Sequence, residues 1–315
     1  MTTGNDTART TVVVVTWRGR EHITACLDAV AAQTRPHRIL VVDNASGDGT
    51  AELLAAHPSR PWVRRLRANT GYAGGLAAAL PDVATEFVAW LNDDTVPCPD
   101  WLALLEDALD ADPAAAAASA WLESTAGETI SVGVGLTADG HGRDVTAAAD
   151  VFGFCGGAAL LRTADLVAAG GVPAGFFCYY EDTDTSWRLR LRGRNVVSVP
   201  AARVVHRHGA SSRPGSRPFH RWNERNRLYM LIRCAPAGVA LREHARFAAL
   251  TAVLPVRRLL GRGVPAAWNY RTGLRLQVLA EVLLHLVPLA RARRAVTRQA
   301  TVDRAAVWRS ANPGR

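Results

Sequence analysis

Short apolar runs alternate with amphipathic stretches through the first two-thirds of the chain. Residues 12–16, VVVVT, form a β-branched run suited to a buried strand. Residues 22–33 then place Ile23, Leu27, Val30 and Ala31 on one helical stripe. ILVV at 39–42 predicts a second strand that runs into the polar turn DNASGDGT at 43–50. A helix over 50–57 and a strand around 62–67 follow. FVAWL at 87–91 predicts another buried strand, broken by NDDTVPCP at 92–99. Asp100 stands where it can cap a helix running through Leu102, Leu105 and Leu109. The alternation predicts an α/β fold, a mainly parallel sheet sandwiched by helices.

The stretch 111–150 holds an alanine run and a Gly/Thr-rich segment, which predict variable strands and loops. VFGFCGGAALLR at 151–162 reads as a strand entering a glycine turn, 182–192 as a helix, 195–200 as a strand, and RVVH at 203–206 as one more, closed by His206. The pattern changes near residue 213, where Pro214, Pro218 and several Ser and Arg predict a linker. From Asn223 onward it is helical and basic. The apolar stretches 245–260 and 273–290 are interrupted by Arg246, Arg275, Glu281 and His285, and Pro255 and Pro288 are expected to limit helix length. Two units are therefore expected, an α/β domain over 1–215 and a basic amphipathic helical region over 216–315. No window supplies the roughly 18 uncharged apolar residues of a spanning helix. Helices lying in a membrane interface fit better, with packing against the body or a dimer contact as the alternative.

Charge sharpens this division. All 37 basic residues among the 315 are Arg. Residues 1–210 carry 17 Arg against 24 Asp or Glu, a net −7, whereas residues 211–315 carry 20 Arg against 4 acids, a net +16. Such asymmetry points to a polyanion, either nucleic acid or an anionic membrane, unless the Arg faces are simply solvated. The tail aromatics Trp222, Tyr229, Phe247, Trp268, Tyr270 and Trp308 are scattered rather than arrayed for stacking, so no specific nucleic-acid partner is expected. The five cysteines are odd in number, far apart and without a CxxC pair, which argues for a reducing compartment. Met1 to Thr10 is polar and lacks the apolar core of a signal peptide. A cytoplasmic protein, peripheral on the cytoplasmic face of the membrane, is expected.

In open α/β sheets, ligands bind beyond the carboxyl ends of the strands. Asp43 follows ILVV directly, and Asn92, Asp93 and Asp94 follow FVAWL. Each alone fits a solvated turn. Together they suit a divalent cation that also holds a diphosphate, since Mg²⁺ and Mn²⁺ accept one or two protein carboxylates plus phosphate oxygens. Glu181, Asp182 and Asp184 sit where a helix begins, either as plain acidic capping or as a carboxylate kept ionised for general-base work. Phe176, Phe177, Tyr179 and Tyr180 just upstream suit an acceptor pocket or the core. His206 suits a further Mn²⁺ ligand or a strand packing position. Neither GxGxxG after the first strand, nor a Walker A loop, nor a GxSxG elbow is present.

With these residues assembled, the chain resembles glycosyltransferase family 2 with a GT-A fold, and within it the rhamnosyltransferase-like group. The likeness runs from about Val12 to Gly209. It is carried by VVVVTWRGREHITACLDAV, VVDNASGDGT, NTGYAGG with LNDDT, and FGFCGGAALLR through YYEDTDTSWRLRLRGRNVVSVPAARVVHRHG. The resemblance implies nucleotide contacts at Thr16, Arg18, Asp43, Asn69, Gly71 and Asp93, with Gly74 and Gly75 opening a helix. It implies metal ligation of Mn²⁺ or Mg²⁺ by Asp94 and His206, and a catalytic base at Asp182 with Glu181 beside it. Asn92 replaces the first Asp of the family's DxD, and Leu76, Ala77 and Ala79 replace polar positions after the glycines. The implied reaction is inverting transfer of L-rhamnose from dTDP-rhamnose to a glycan or polyprenyl-linked acceptor in cell-envelope polysaccharide synthesis. A UDP-galactofuranose or UDP-hexose donor, and a degenerate membrane-bound scaffold, are the alternatives.

Overall fold

A computed structural model describes residues 7–147, 150–207 and 214–312. The first four strands fall on the apolar runs: β1 (Thr10–Thr16), β2 (His37–Asp43), β3 (Trp62–Arg65) and β4 (Phe87–Asn92). They pair in parallel in the order β3-β2-β1-β4. Helices α1 (Ile23–Ala31), α2 (Thr50–Ala56) and α3 (Gly71–Ala79) connect them. Every residue of β1 is buried, because helices cover both sheet faces; hence its valines run continuously rather than alternating with polar residues.

The short strand β5 (Thr95–Pro97) and helix α4 (Trp101–Ala111) follow. Asp100 holds the N-cap position of α4, but its side chain makes no capping bond. Gln33 does the work from just beyond α1, its Oε1 accepting from Leu102 N at 3.0 Å. The alanine run is a strand, β6 (Ala115–Ser124). Ala115, Ala118 and Ala120 pack with Leu102 and Leu105 of α4, while Ala116 and Ala117 face the opposite layer. Small side chains on both faces let two helix layers approach one central strand. Three short strands come next: β7 (Thr129–Ser131), β8 (Val134–Leu136) and β9 (Gly142–Asp144).

The glycine turn precedes its strand rather than ending it. Gly156 and Gly157 lead into β10 (Ala158–Arg162), which runs antiparallel between β4 and β6. Helices α5 (Thr163–Ala168) and α6 (Glu181–Leu191) then lead to β11 (Asn195–His206). The two strands expected at 195–200 and 203–206 are thus one: a register shift between Val199 and Arg203 absorbs Pro200 while β11 stays paired with β6. The full order is β3-β2-β1-β4-β10-β6-β11-β5.

The C-terminal third is helical: α7 (Arg217–Cys234), α8 (Ala237–Leu259), α9 (Thr272–Leu284), α10 (Leu286–Gln299) and α11 (Arg304–Ala311). Helix α7 begins well before Asn223, where Ser216 Oγ accepts from Phe219 N at 3.3 Å. Pro255 does not end α8, which continues to Leu259; Phe247, Thr251 and Leu254 already anchor it by burial. Pro288 does mark a break. It lies in the first turn of α10, where its missing N–H costs nothing, and α9 and α10 meet at 61°. The linker expected around 213 and the end of the likeness at His208–Gly209 lie largely outside the described residues.

These helices share a core with the α/β body. Leu228, Met230 and Leu231 of α7 pack with Phe176, Tyr180, Trp187 and Leu191, and the Trp187 ring stacks on Trp308 of α11 at 5.7 Å. Leu228 is fully buried. Leu228→Ala should therefore destabilise the whole protein by about 2–5 kcal/mol. Denaturant unfolding followed by tryptophan fluorescence and by circular dichroism should give one shared, down-shifted transition. Two separated transitions would mean that α7 folds apart from the body.

Candidate active site

Parallel register brings the carboxyl ends of three strands together: Thr16 lies opposite Asp43, and Val15 opposite Asn92. Thr16 Oγ1 donates to Asp93 Oδ2 at 2.5 Å. Gly19 leaves room for this contact, since a Cβ there would lie 2.2 Å from Thr16 Oγ1. Asp43 is fully buried; Oδ1 accepts from Ser46 N at 2.9 Å and Oδ2 faces Arg65 Nε at 3.5 Å. Arg18 is exposed at the mouth, its backbone N–H held by Ser46 Oγ at 2.9 Å. Asn69 Oδ1 accepts from Gly71 N at 2.8 Å. Helix α3 starts at Gly71, ahead of Gly74 and Gly75, and Gly71 is obligatory there: φ is +75° and a Cβ would lie 2.1 Å from Phe177 O.

Asp94 Oδ1 and His206 Nε2 lie 3.0 Å apart, although they are 112 residues apart in sequence. Two cis ligands about 2.1 Å from a six-coordinate Mn²⁺ or Mg²⁺ would have much this separation. A carboxylate with an imidazole also suits Mn²⁺ chemically. Asp93 is turned toward Thr16 instead, and burial, with the Asp94 charge adding to it against the Thr16 bond, pushes its carboxyl up to about 7. Among the described residues, no group of three or more His, Cys, Asp or Glu is placed to hold a metal. Asp94 and His206 would thus leave most ligand positions to phosphate oxygens and water.

The second acidic group opens α6. Asp182 accepts three hydrogen bonds: Gly156 N at 2.9 Å, Thr183 N at 2.5 Å and Thr183 Oγ1 at 3.0 Å. Burial raises its carboxyl, and those three donors oppose the rise. Glu181 Oε2 is buried without a hydrogen-bond partner. Burial first, and the Asp182 charge second, push Glu181 up to about 8. Burial thus raises both neighbouring acids, but only Asp182 has donors that resist the rise, while Glu181 is held toward its neutral form. Asp184 takes no part, being buried against Arg188 at 2.7 Å and Arg233 at 2.9 Å.

One glycine turn joins the two groups. Gly157 O accepts from Asn92 N at 3.0 Å, while the adjacent Gly156 N donates to Asp182. The segment leading to Glu181 is strained, with non-glycine φ of 67° at Phe177, 71° at Tyr179 and 69° at Tyr180. Each such residue costs on the order of 1–3 kcal/mol unless its surroundings hold it. Of the four aromatics, Phe176 and Tyr180 belong to the core. Phe177 and Tyr179 are half-buried and meet Trp222 and Phe219 of α7 at 4.7 and 5.2 Å.

Every site residue expected from sequence lies in one of these two groups. Others went unseen. Asn44 bolts the loop after β2 to the start of α3, with Oδ1 accepting from Thr70 N at 2.8 Å and Nδ2 donating to Gly71 O at 2.9 Å. Its place directly after Asp43 was the available signal. Tyr72 Oη donates to Gly156 O at 2.6 Å, and Asn226, from the basic tail, holds the strained segment.

Residues 11–166 match the sequence model of "Glycosyl transferase family 2". Those residues carry the glycosyltransferase family 2 pattern. A curated relative, the galactofuranosyltransferase GlfT1 of Mycolicibacterium smegmatis (strain ATCC 700084 / mc(2)155), is 37% identical over 86 residues, 26% of this chain and 28% of that protein's length. Among solved structures, GalNAc-T7 with UDP, GalNAc and Mn²⁺ gives a TM-score of 0.61 at 12% identity, over 90% of this chain and 58% of that one. The mannosyltransferase PcManGT from Pyrobaculum calidifontis, with GDP-Man and Mn²⁺, gives 0.54 at 20%, over 92% and 85%. S. aureus TarS 1–349 with UDP-GlcNAc gives 0.55 at 18%, over 98% and 92%. These likenesses establish the GT-A fold; the matched residues include the strand-end acids Asp43, Asp93 and Asp94, whereas Glu181, Asp182 and His206 lie beyond them.

Glu181 gives the protein a pH-sensitive stability. A carboxyl raised from 4.5 to about 8 on folding gives stability that is full below the unfolded value and is lost as pH rises through the folded one. Glu181→Gln removes this loss. Between pH 5 and 9, its melting temperature should fall less than that of the wild type, by roughly 5 °C or more. Parallel wild-type and mutant curves would mean that Glu181 is ionised throughout.

Proposed function

We propose that the protein is an inverting, metal-dependent glycosyltransferase. It moves a sugar from a nucleoside diphosphate donor to a hydroxyl of a glycan or polyprenyl-linked acceptor. The observation that carries this reading is the joining of the Asp43/Asp93/Asp94/His206 strand ends to Asp182 through one glycine turn. Asp43 and the loop of Asn69 and Gly71 receive the nucleoside, with Thr16, Arg18 and Asp93 on its diphosphate side. The acceptor hydroxyl attacks the anomeric carbon as Asp182 takes its proton, and the bond to the diphosphate breaks with its electron pair leaving on the phosphate oxygen. A single displacement inverts the anomeric centre. Asp94 and His206 would hold Mn²⁺ or Mg²⁺, whose charge offsets that of the departing diphosphate. Glu181, held neutral, adds no second negative charge beside the base. L-rhamnose from dTDP-rhamnose is the donor the sequence resemblance suggests. UDP-galactofuranose is the second reading, favoured by the galactofuranosyltransferase relative.

Thermal shift with dTDP, UDP and GDP, each with and without Mn²⁺, tests this. A ligand at 100 times its Kd adds about 2.7 kcal/mol. One nucleotide should stabilise the protein only when metal is present, and its base separates the two donors. Asp182→Asn should keep that shift and lose at least about a hundredfold in turnover. Near-normal turnover would sink the assignment.

The helical region adds a membrane-facing surface to the proposal. No single helix among the described residues is long and apolar enough to cross a membrane. Helix α8 instead has two apolar faces. One is buried at Phe247, Thr251 and Leu254; the other is exposed at Leu241, Val256 and Leu259, with Ala245, Ala248 and Ala252 between them. Arg242, Arg246, Arg257 and Arg258 flank the exposed stripe. Leu276, Leu283, Leu284 and Val287 continue such a stripe along α9 into α10. Outward leucines flanked by arginines suit an anionic bilayer surface, each Arg contributing about 1 kcal/mol there. Leu259→Glu with Leu283→Glu should abolish flotation with anionic vesicles while leaving the melting temperature within a few degrees. Unchanged flotation would rule this surface out.

A further inference from the structure

Asn226 lies in the Arg-rich helix α7, yet its side chain is fully buried. Its Nδ2 lies 2.9 Å from Phe176 O, 2.8 Å from Cys178 O and 2.8 Å from Tyr179 O. Two N–H groups thus serve three carbonyls, and one of them is shared. Arg225 fixes which way the amide points, because its Nε donates to Asn226 Oδ1 at 2.9 Å. Arg225 Nη2 also reaches Phe176 O at 2.6 Å. One Arg–Asn pair therefore clamps the peptides around the three left-handed residues that precede Glu181.

The clamped segment touches both halves of the site. Its Phe177 carbonyl accepts from Ala73 N at 3.0 Å, at the start of α3 on the nucleotide side. Its other end is the N-terminus of α6, which carries Glu181 and Asp182. A backbone held in sparsely populated conformations persists only where its surroundings over-determine it. In the interior, a buried amide with all its partners met is the group that does so at least cost.

We propose that Asn226 is a positioning residue for the transfer reaction: from the C-terminal helix it fixes the backbone of residues 176–180 and so aims the Asp182 carboxylate. This rests on the glycosyltransferase reading for its kinetic consequence, but not for its structural one. It also means that the helical region cannot be removed without taking part of the active site with it.

Asn226→Ala should lower kcat for donor turnover at least tenfold while the KM for the donor nucleotide sugar changes less than threefold. Leu54→Ala on α2, a buried leucine in the core cluster that residues 176–180 do not join, is the control; it should cost stability and leave kcat of the folded protein within twofold. A second readout needs no activity. The Gly156 amide, on a distant loop, is held by the Asp182 carboxylate at 2.9 Å. Hydrogen exchange at Gly156 should accelerate in Asn226→Ala and stay at the wild-type rate in Leu54→Ala. If Asn226→Ala does not fold, Asn226→Asp, which keeps the volume and loses the paired donors, takes its place in both measurements. Equal Gly156 exchange in the Asn226 variant and the control overturns the proposal, as does an Asn226 variant with kcat within twofold of wild type. A wild type that turns over no nucleotide sugar but shows the exchange difference overturns the transferase reading and leaves the clamp standing.

Discussion

Two backbone groups of a single turn hold the site in one frame. Gly156 N donates to Asp182 while Gly157 O accepts from Asn92 N, so Asp182 and the strand-end acids are tied to adjacent residues of one turn. A side chain would crowd its neighbours at either position. A Cβ on Gly156 would press on Asp182 at 3.2 Å, and one on Gly157 on Leu122 at 2.9 Å. Tyr72 reaches the same turn from α3, through Gly156 O. Any motion of the turn therefore moves Asp182 and the strand-end acids together, which suits the proposed reaction, whose two partners must meet within about 3–3.5 Å.

Around that frame the protein concentrates negative charge where little water reaches. Asp43, Asp93, Asp94 and Glu181 are all buried. Such a cluster is tolerable only if protons or counter-charges neutralise part of it. Asp93 and Glu181 take the first route, both being pushed up toward neutral pH by burial. Arg65 beside Asp43 supplies the second. The buried Asp184, bracketed by Arg188 and Arg233, shows the same logic put to structural use, tying α6 to α7.

The parallel half of the sheet was legible because β-branched runs such as VVVV leave little choice of structure, and the acids directly after them mark strand ends by position alone. The run at 115–120 was not legible: alanine carries no strand preference, and only its place between two helix layers makes it a strand. The order of turn and strand at 151–162 was misread because Gly156 and Gly157 serve a close approach to Asp182 and Leu122, not the end of a strand. The Asp100 cap failed because Gln33, 69 residues from the amide it serves, arrives first. Asn226 was invisible for a related reason. A polar residue among arginines reads as surface, and its burial depends on carbonyls nearly 50 residues upstream, in a segment whose left-handed backbone no local pattern announces.

The two edges of the sheet set how copies of this molecule can meet. One edge is β3, four residues long and carrying Arg64 and Arg65; the other is β5, three residues long and ending in Pro97. A short charged strand and a short strand closed by proline are poor templates for a further strand. Chain-to-chain growth through these two ends of the main strand path is thereby disfavoured.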